Sequence, residues 1–344
     1  MSTLRLGPIR SLFLLGGGDV LVKLAQETRA MGLQVRILTA PRLANETVAT
    51  GENFESALRR TGLPVEVISS LDANRSPFTE LDESTLGISL GAAWIFREDL
   101  IRRFQGRLLN CHGSCLPEDR GGGGFSWRIL RDDRRGRCLL HQVDVGVDSG
   151  PILCSRDYRF PDSCRIPRDF FQEQRARDFE FLADFMKKAA AGCVFELQAQ
   201  DHSRSTYWPR LDTALHAAID WNWPAAEVER FIRAFDEPYG GAYTYLNGHR
   251  VRLKGCFPVQ GEPVFHPFQA GLVYRIHQEQ WHVACVGGNL RIERMLSDDA
   301  AEDPLTLLPG DRLWTPASVL EQARTTRVIH TVSGPRYQHW ATVP

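Results

Sequence analysis

Lysine is scarce in this chain. Only Lys23, Lys187, Lys188 and Lys254 stand among 41 cationic residues, so arginine carries almost all the positive charge. Arginine suits bidentate recognition of carboxylate and phosphate, but a bias spread this widely reads as genome composition. Neither sign is in excess: 42 acidic residues leave a formal net charge of −1. With no basic footprint, the composition announces no nucleic-acid partner. Long hydrophobic runs are missing as well. The most apolar stretch, 86–96, is about half the roughly 20 residues a membrane helix needs, so no membrane partner is expected. The first residues lack a charged lead followed by an apolar segment, and no signal peptide is read there. Nor is there a disulfide framework. The eight cysteines (111, 115, 138, 154, 164, 193, 256 and 285) are scattered, which predicts free thiols in a reducing cytoplasm. Cys111 and Cys115 form a lone C-x-x-x-C without a second pair, so no metal is expected.

What is present is an ordinary globular composition. The 344 residues are 43% hydrophobic and 24% charged, enough for two domains with full cores. In the first half, apolar runs alternate with amphipathic stretches. Strands are expected at 11–15, 34–39, 65–68, 86–90 and 107–111, with helices over 20–31, 53–60 and 97–104. That alternation predicts an α/β fold on a parallel sheet. Two more strands, 138–144 and 152–158, precede a long helix over 168–191. The polar stretch 203–211 reads as an irregular domain linker. Beyond it come a helix over 225–234 and several short β-like runs with glycine-rich turns, which suggest a small barrel.

Two places invite a functional reading. Gly16-Gly-Gly18 sits where a strand meets a helix, as phosphate-binding loops do. The strict G-x-G-x-x-G pattern is broken, however, and Asp19 would repel phosphate, so a tight turn is the better reading. Asn110-Cys-His-Gly-Ser-Cys-Leu-Pro117 is the stronger signal. Asn110 and His112 are two apart at a strand end, so they face the same way where open α/β sheets hold ligands. Brought beside Asp148, they would make an acyl-transfer site: an amide for an oxyanion, an imidazole for a proton, and a carboxylate to set its charge. Spacing alone leaves a structural histidine as the alternative.

The whole run, Asn110-x-His112-x-Ser114-x-Leu116-Pro117, Arg120-Gly121, His141 and Val147-Asp148-Ser-Gly-Pro-Ile152, resembles the signature of the folate-dependent formyltransferases. The 36-residue step from His112 to Asp148 matches it too. The resemblance continues through Tyr207-Trp-Pro-Arg-Leu211, Phe231–Tyr239 and Gly310-Asp-Arg312, which look like the second domain of the methionyl-tRNA and amino-sugar enzymes. It implies a Rossmann-like catalytic domain over 1–204 and an OB-like domain over 205–344. It also implies 10-formyltetrahydrofolate as co-substrate and Asn110, His112 and Asp148 as catalytic residues. Carried over by position, Ser89, Leu90, Gly91, Val143, Val145 and Gly146 would line the folate pocket. Apart from the resemblance, the 89–96 run reads as core. Ser114, Gly122, Gly123 and Arg210 fall on the acceptor side, although Ser114 is equally an ordinary strand-end polar residue and Arg210 equally a linker salt bridge.

The resemblance implies transfer of a formyl group to a primary amine. Either a protonated His112 would stabilise the oxyanion with Asn110, or a neutral His112 would take the amine proton. The family usually has leucine at the position of Cys115, and often a proline where Gly121–Gly124 stands. For the acceptor, residues 205–344 carry 13 basic and 15 acidic residues, too few cations for the phosphate contacts that tRNA binding needs. A nucleotide-linked amino sugar, or another small amine such as a hydroxylated ornithine, ranks above tRNA. Hydrolysis of the folate by water ranks below both, because such enzymes usually carry an N-terminal regulatory domain. A homodimer is compatible with the sequence.

Overall fold

The computed structural model describes residues 2–122, 124–298, 307–331 and 334–339. Short apolar runs that end at glycine or a polar residue become the strands of the first half. They are β1 (Ser11–Gly16), β2 (Gln34–Thr39), β3 (Val65–Val67), β4 (Thr85–Leu90), β5 (Leu108–His112), β6 (Arg135–Gln142) and β7 (Ile152–Arg159). They form one seven-stranded sheet in the order β3-β2-β1-β4-β5-β6-β7. The first five run parallel, whereas β6 and β7 pair antiparallel to their neighbours. The parallel sheet expected from the alternating strands is found for those five, and the two later strands, for which the sequence indicates no direction, make the whole sheet parallel-rich.

Helices α1 (Asp19–Ala30), α2 (Phe54–Arg60) and α3 (Glu98–Arg103) connect the parallel strands. Asn53 caps α2, accepting the Ser56 N–H at 2.8 Å, the role short polar side chains play at helix starts. A six-residue helix, α4 (Phe125–Leu130), follows the glycine loop, and the long α5 (Pro167–Ala190) follows β7. One face of the sheet packs with α1 and α5 around Leu14, Leu24, Ile88, Leu182 and Phe185. The other encloses Phe13, Leu15, Trp94 and Phe104. The central strand β4 is buried at every position.

The second half begins with α6 (Ala225–Ala234), followed by β8 (Ala242–Leu246), β9 (His249–Val259), β10 (Val273–His277), β11 (Gln280–Cys285), β12 (Gly288–Ser297) and β13 (Leu313–Trp314). The sheet order is β10-β11-β12-β9-β8-β13, and every pair is antiparallel. Its two edges are joined: Leu313 N–H donates to Gly271 O and Val273 N–H to Asp311 O, each at 2.8 Å. Helix α7 (Ala317–Thr325) and a hairpin of β14 (Thr326–Thr331) and β15 (Gly334–His339) follow.

The stretch expected to be an irregular linker is not irregular throughout. Tyr207–Trp208 pairs in parallel with Arg120–Gly121, and Gly122 N–H donates to Trp208 O at 2.7 Å. A Cβ added to Gly122 would lie 2.7 Å from the N and Cα of Arg210. Backbone cannot give way as a flexible side chain can. Gly122→Ala is therefore expected to cost about 1–3 kcal/mol by overpacking, read as a lower midpoint in thermal unfolding. An unchanged midpoint would show that the two segments do not meet this closely.

Candidate active site

Register places the expected trio. In β5, Asn110 pairs with Ser89 of β4 on one side and with His141 of β6 on the other. Asn110 and His112, two residues apart, both reach the turn that holds Asp148. Asp148 itself has a left-handed backbone, with φ at +52°. The Asn110 amide nitrogen donates to His141 Nε2 at 3.1 Å and lies 3.5 Å from Asp148 Oδ1. His112 Nδ1 lies 3.8 Å from the same oxygen, and the Gly121 N–H donates to Asp148 Oδ2 at 2.9 Å.

Both histidines have a tautomer set by a carbonyl, since a carbonyl accepts only from a protonated ring nitrogen. His141 Nδ1–H donates to Gln142 O at 2.9 Å, leaving Nε2 to accept from Asn110. His112 Nε2–H donates to Asp119 O at 2.9 Å, with Ser114 Oγ 3.0 Å away as a second acceptor. Nδ1 is therefore the His112 nitrogen that faces Asp148. Burial opposes ionisation of Asp148, yet its carboxyl is held below its ordinary value, and the Gly121 N–H donates to it whatever the charge of the two histidines. Burial pushes the His112 imidazole below its ordinary value, against the pull of Asp148. The free site thus pairs an ionised carboxylate with an imidazole biased towards neutral.

The other expected residues are distributed along the strand ends. Ser89 and Leu90 are buried beside Asn110 and Cys111, so any ligand contact there falls to backbone. Gly91 is exposed. Val143 packs with the cluster around Trp94 and Phe104. Val145 and Gly146 are exposed, as are Val147 and Ile95, which leaves apolar side chains facing solvent next to the site. Trp94 is buried, and its Nε1 has no hydrogen-bond partner. Gly122 lies against the backbone of Arg210, which is exposed. Gly123 lies outside the described residues.

The structure adds groups that the sequence did not mark as site residues. The backbone N–H of Gly121 is one. Gln200 is another: its amide donates to Asp148 O and Gly150 O at 2.9 and 2.7 Å and accepts from Arg120 at 2.7 Å. His141 stood in the motif, but only the β5–β6 register shows it holding Asn110. Asp19, which follows the Gly16–Gly18 turn, is an ion-paired carboxylate, in keeping with a tight turn rather than a phosphate loop. Its carboxylate accepts the Ala49 N–H at 2.8 Å and pairs with Arg175 at 2.8 Å. All eight cysteines are free, and burial raises the Cys111 thiol well above its ordinary value.

Behind β5 and β6, Asp178 of α5 bonds to the Cys138 thiol and the Gln174 amide, and burial lifts its carboxyl to about 6. A carboxyl raised in the folded state favours folding while protonated, and that contribution is lost as pH climbs through 6. Asp178→Asn is expected to stabilise the protein at pH 8 by up to about 3 kcal/mol, with the gain vanishing near pH 4. Equal unfolding midpoints at pH 8 would contradict the assignment of a strained carboxylate.

Two stretches of the chain match known families. Residues 89–160 match the family model described as formyl transferase, and residues 213–310 match formyl transferase, C-terminal domain. A methionyl-tRNA formyltransferase of Cereibacter sphaeroides (strain ATCC 17029) is 31% identical over 210 residues, covering 58% of this chain and 65% of the relative. That of strain ATCC 17025 is 30% identical over 242 residues, covering 67% and 72%. Among solved structures, WlaRD, a sugar 3N-formyl transferase crystallised with dTDP and 5-N-formyl-THF, superimposes with a TM-score of 0.61 at 15% identity, over 86% of this chain and all of that one. HypX from Aquifex aeolicus in complex with tetrahydrofolic acid gives 0.58 at 17% identity, over 92% of this chain and 48% of HypX. At such identities the structures show a shared fold.

Proposed function

The chain belongs to the formyl transferase family, and from that premise we propose that it moves a formyl group from 10-formyltetrahydrofolate to a primary amine. The observation that carries this reading is the convergence of Asn110, His112 and Asp148 on one strand end, each in a defined hydrogen-bonding state. As the amine nitrogen bonds to the formyl carbon, negative charge moves onto the former carbonyl oxygen. The Asn110 N–H now 3.5 Å from Asp148 is weakly held, and it turns to that oxygen. His112, neutral with its Nε2 proton committed to Asp119 O, takes the ammonium proton at Nδ1. The ionised Asp148 stabilises the resulting imidazolium. The same proton then goes to the departing folate nitrogen as the carbon–nitrogen bond breaks.

For the folate we assign the rim formed by Ser89, Leu90, Gly91, Val143, Val145 and Gly146. The exposed apolar side chains there and the partnerless Trp94 Nε1 fit a flat ring with polar edges. We place the acceptor on the side of Ser114, Gly122, Gly123 and Arg210. We read the acceptor as a nucleotide-linked amino sugar or another small amine. That reading is supported by the net negative charge of residues 205–344 and by the sugar formyl transferase among the structures of the same fold. The methionyl-tRNA formyltransferases among the relatives support the second reading, and hydrolysis by water is the third. We divide the chain functionally at 204/205, read the edge-joined second sheet as an OB-like barrel, and keep the cytoplasmic expectation on the free thiols. Among the described residues no helix is long and apolar enough to cross a membrane.

His112→Ala and Asp148→Asn are each expected to cut formyl transfer by orders of magnitude with folate binding nearly intact. Asn110→Ala is expected to cost about 10²–10³ in rate, as loss of an oxyanion donor does. Near-native turnover in any of the three would overturn the site. Since burial depresses His112 and the neutral form is the active one, kcat/KM should rise with pH through a value below about 6.5 and then level off. A fall of kcat/KM as pH rises through that same value would assign the work to the imidazolium instead. Initiator tRNA should bind weakly and with little salt dependence, and a steep fall of affinity with salt would favour the tRNA reading.

A further inference from the structure

We propose that Asp119 is a positioning residue: its carboxylate is locked inside the protein so that its backbone fixes the His112 tautomer and the spacing of His112 from Asp148. The proposal rests on the reading of His112 as the group that carries the proton. Asp119 is wholly buried, and its partner Arg128 is only 1% exposed. A charge taken out of water needs opposite charge and hydrogen bonds, and Asp119 has two guanidiniums and a backbone N–H. Arg131 donates through both terminal nitrogens to Oδ1 at 3.1 Å. Arg128 stands 3.5 Å from Oδ2, and the Cys115 N–H reaches Oδ2 at 3.4 Å. Both arginines come from α4 and its C-terminal cap. The Arg131 guanidinium also sits over Trp208, 4.1 Å from the ring centre, and the Trp208 indole donates to Glu118 O at 3.3 Å. The segment is therefore clamped from its own side chain and from the 207–208 strand alongside.

What this segment presents to the site is backbone. The Asp119 carbonyl accepts a hydrogen bond from the His112 Nε2–H at 2.9 Å, and two residues on the Gly121 N–H donates to Asp148 at 2.9 Å. Neighbouring α-carbons are about 3.8 Å apart, so a single short stretch of chain holds both partners of the 3.8 Å His112–Asp148 approach. Release of the Asp119 carboxylate would let the carbonyl move, and His112 would be free to place its proton on Nδ1, where it can no longer accept one from the amine.

The test is nitrogen NMR of protein labelled in histidine, with the His112 signal identified by its loss in His112→Gln. At pH 8 the native protein should show His112 as the Nε2–H tautomer. In Asp119→Ala, and in Arg131→Met, which removes the part-exposed arm of the clamp and spares Arg128, the signal should move towards the Nδ1–H form. In both variants kcat should fall, by about 10²-fold for Asp119→Ala, as for a misplaced reacting group, while KM for 10-formyltetrahydrofolate stays nearly unchanged. A folded variant that keeps the Nε2–H tautomer overturns the proposal, whether its rate falls or not. Because the tautomer is measured without substrate, a protein that formylates none of the amines offered would leave this result readable on its own.

Discussion

A carboxylate sealed from water must be surrounded by donors, and around Asp119 that requirement organises the site. Two guanidiniums and a backbone N–H meet its oxygens, which ties the loop after β5 to α4. Removing one partner from a buried pair typically costs about 3–5 kcal/mol, so the loop is held far more firmly than exposed pairs such as Arg59–Glu55 hold theirs, where about 0–1 kcal/mol is usual. From this anchored loop a carbonyl reaches His112 and an N–H reaches Asp148. In the proposed mechanism the chemistry is thus set by main-chain groups whose positions are fixed by buried side chains.

The same anchoring joins the two halves of the chain. The Tyr207–Trp208 strand lies against Arg120–Gly121, and the Trp127 indole donates to Pro209 O at 2.7 Å. Ser126 Oγ donates to Ala234 O at 2.7 Å, which couples α4 to α6. Phe125, Ile129, Phe160 and Phe170 of the first half share a hydrophobic core with Trp221, Ile232 and Leu253 of the second. A second half packed in this way does more than carry an acceptor surface: it bears on the loop that sets the catalytic geometry.

Much of the first half was legible because its signals are local. Apolar runs bounded by glycine gave the strands at 11–15 and 34–39, and the 225–234 helix coincides with its amphipathic pattern. Strand-end placement and the turn at Asp148 point to Asn110, His112 and Asp148 coming together, and the structure brings Asn110 and His112 to 3.5 and 3.8 Å from Asp148 Oδ1. What escaped the sequence depends on long-range pairing. Strand direction in β6 and β7 is decided by neighbours. The 207–208 strand hides in a polar stretch because its hydrogen bonds go to residue 120. Helix α4 is only six residues long and follows four glycines, so packing rather than propensity makes it. Nothing in the sequence singles out Asp119, Arg128 or Arg131, because burial of a charge is a property of the folded surroundings.

The account stands or falls on formyl transfer to an amine. The most direct measurement is mass spectrometry of an amine panel after incubation with the protein and 10-formyltetrahydrofolate. The panel would hold several dTDP-, UDP- and GDP-linked amino sugars, hydroxyornithine and methionyl-tRNA. The account predicts the gain of one formyl group on a small amine, absent when His112→Ala replaces the native protein. Folate consumed with every amine unchanged, at a rate that His112→Ala does not alter, would contradict it.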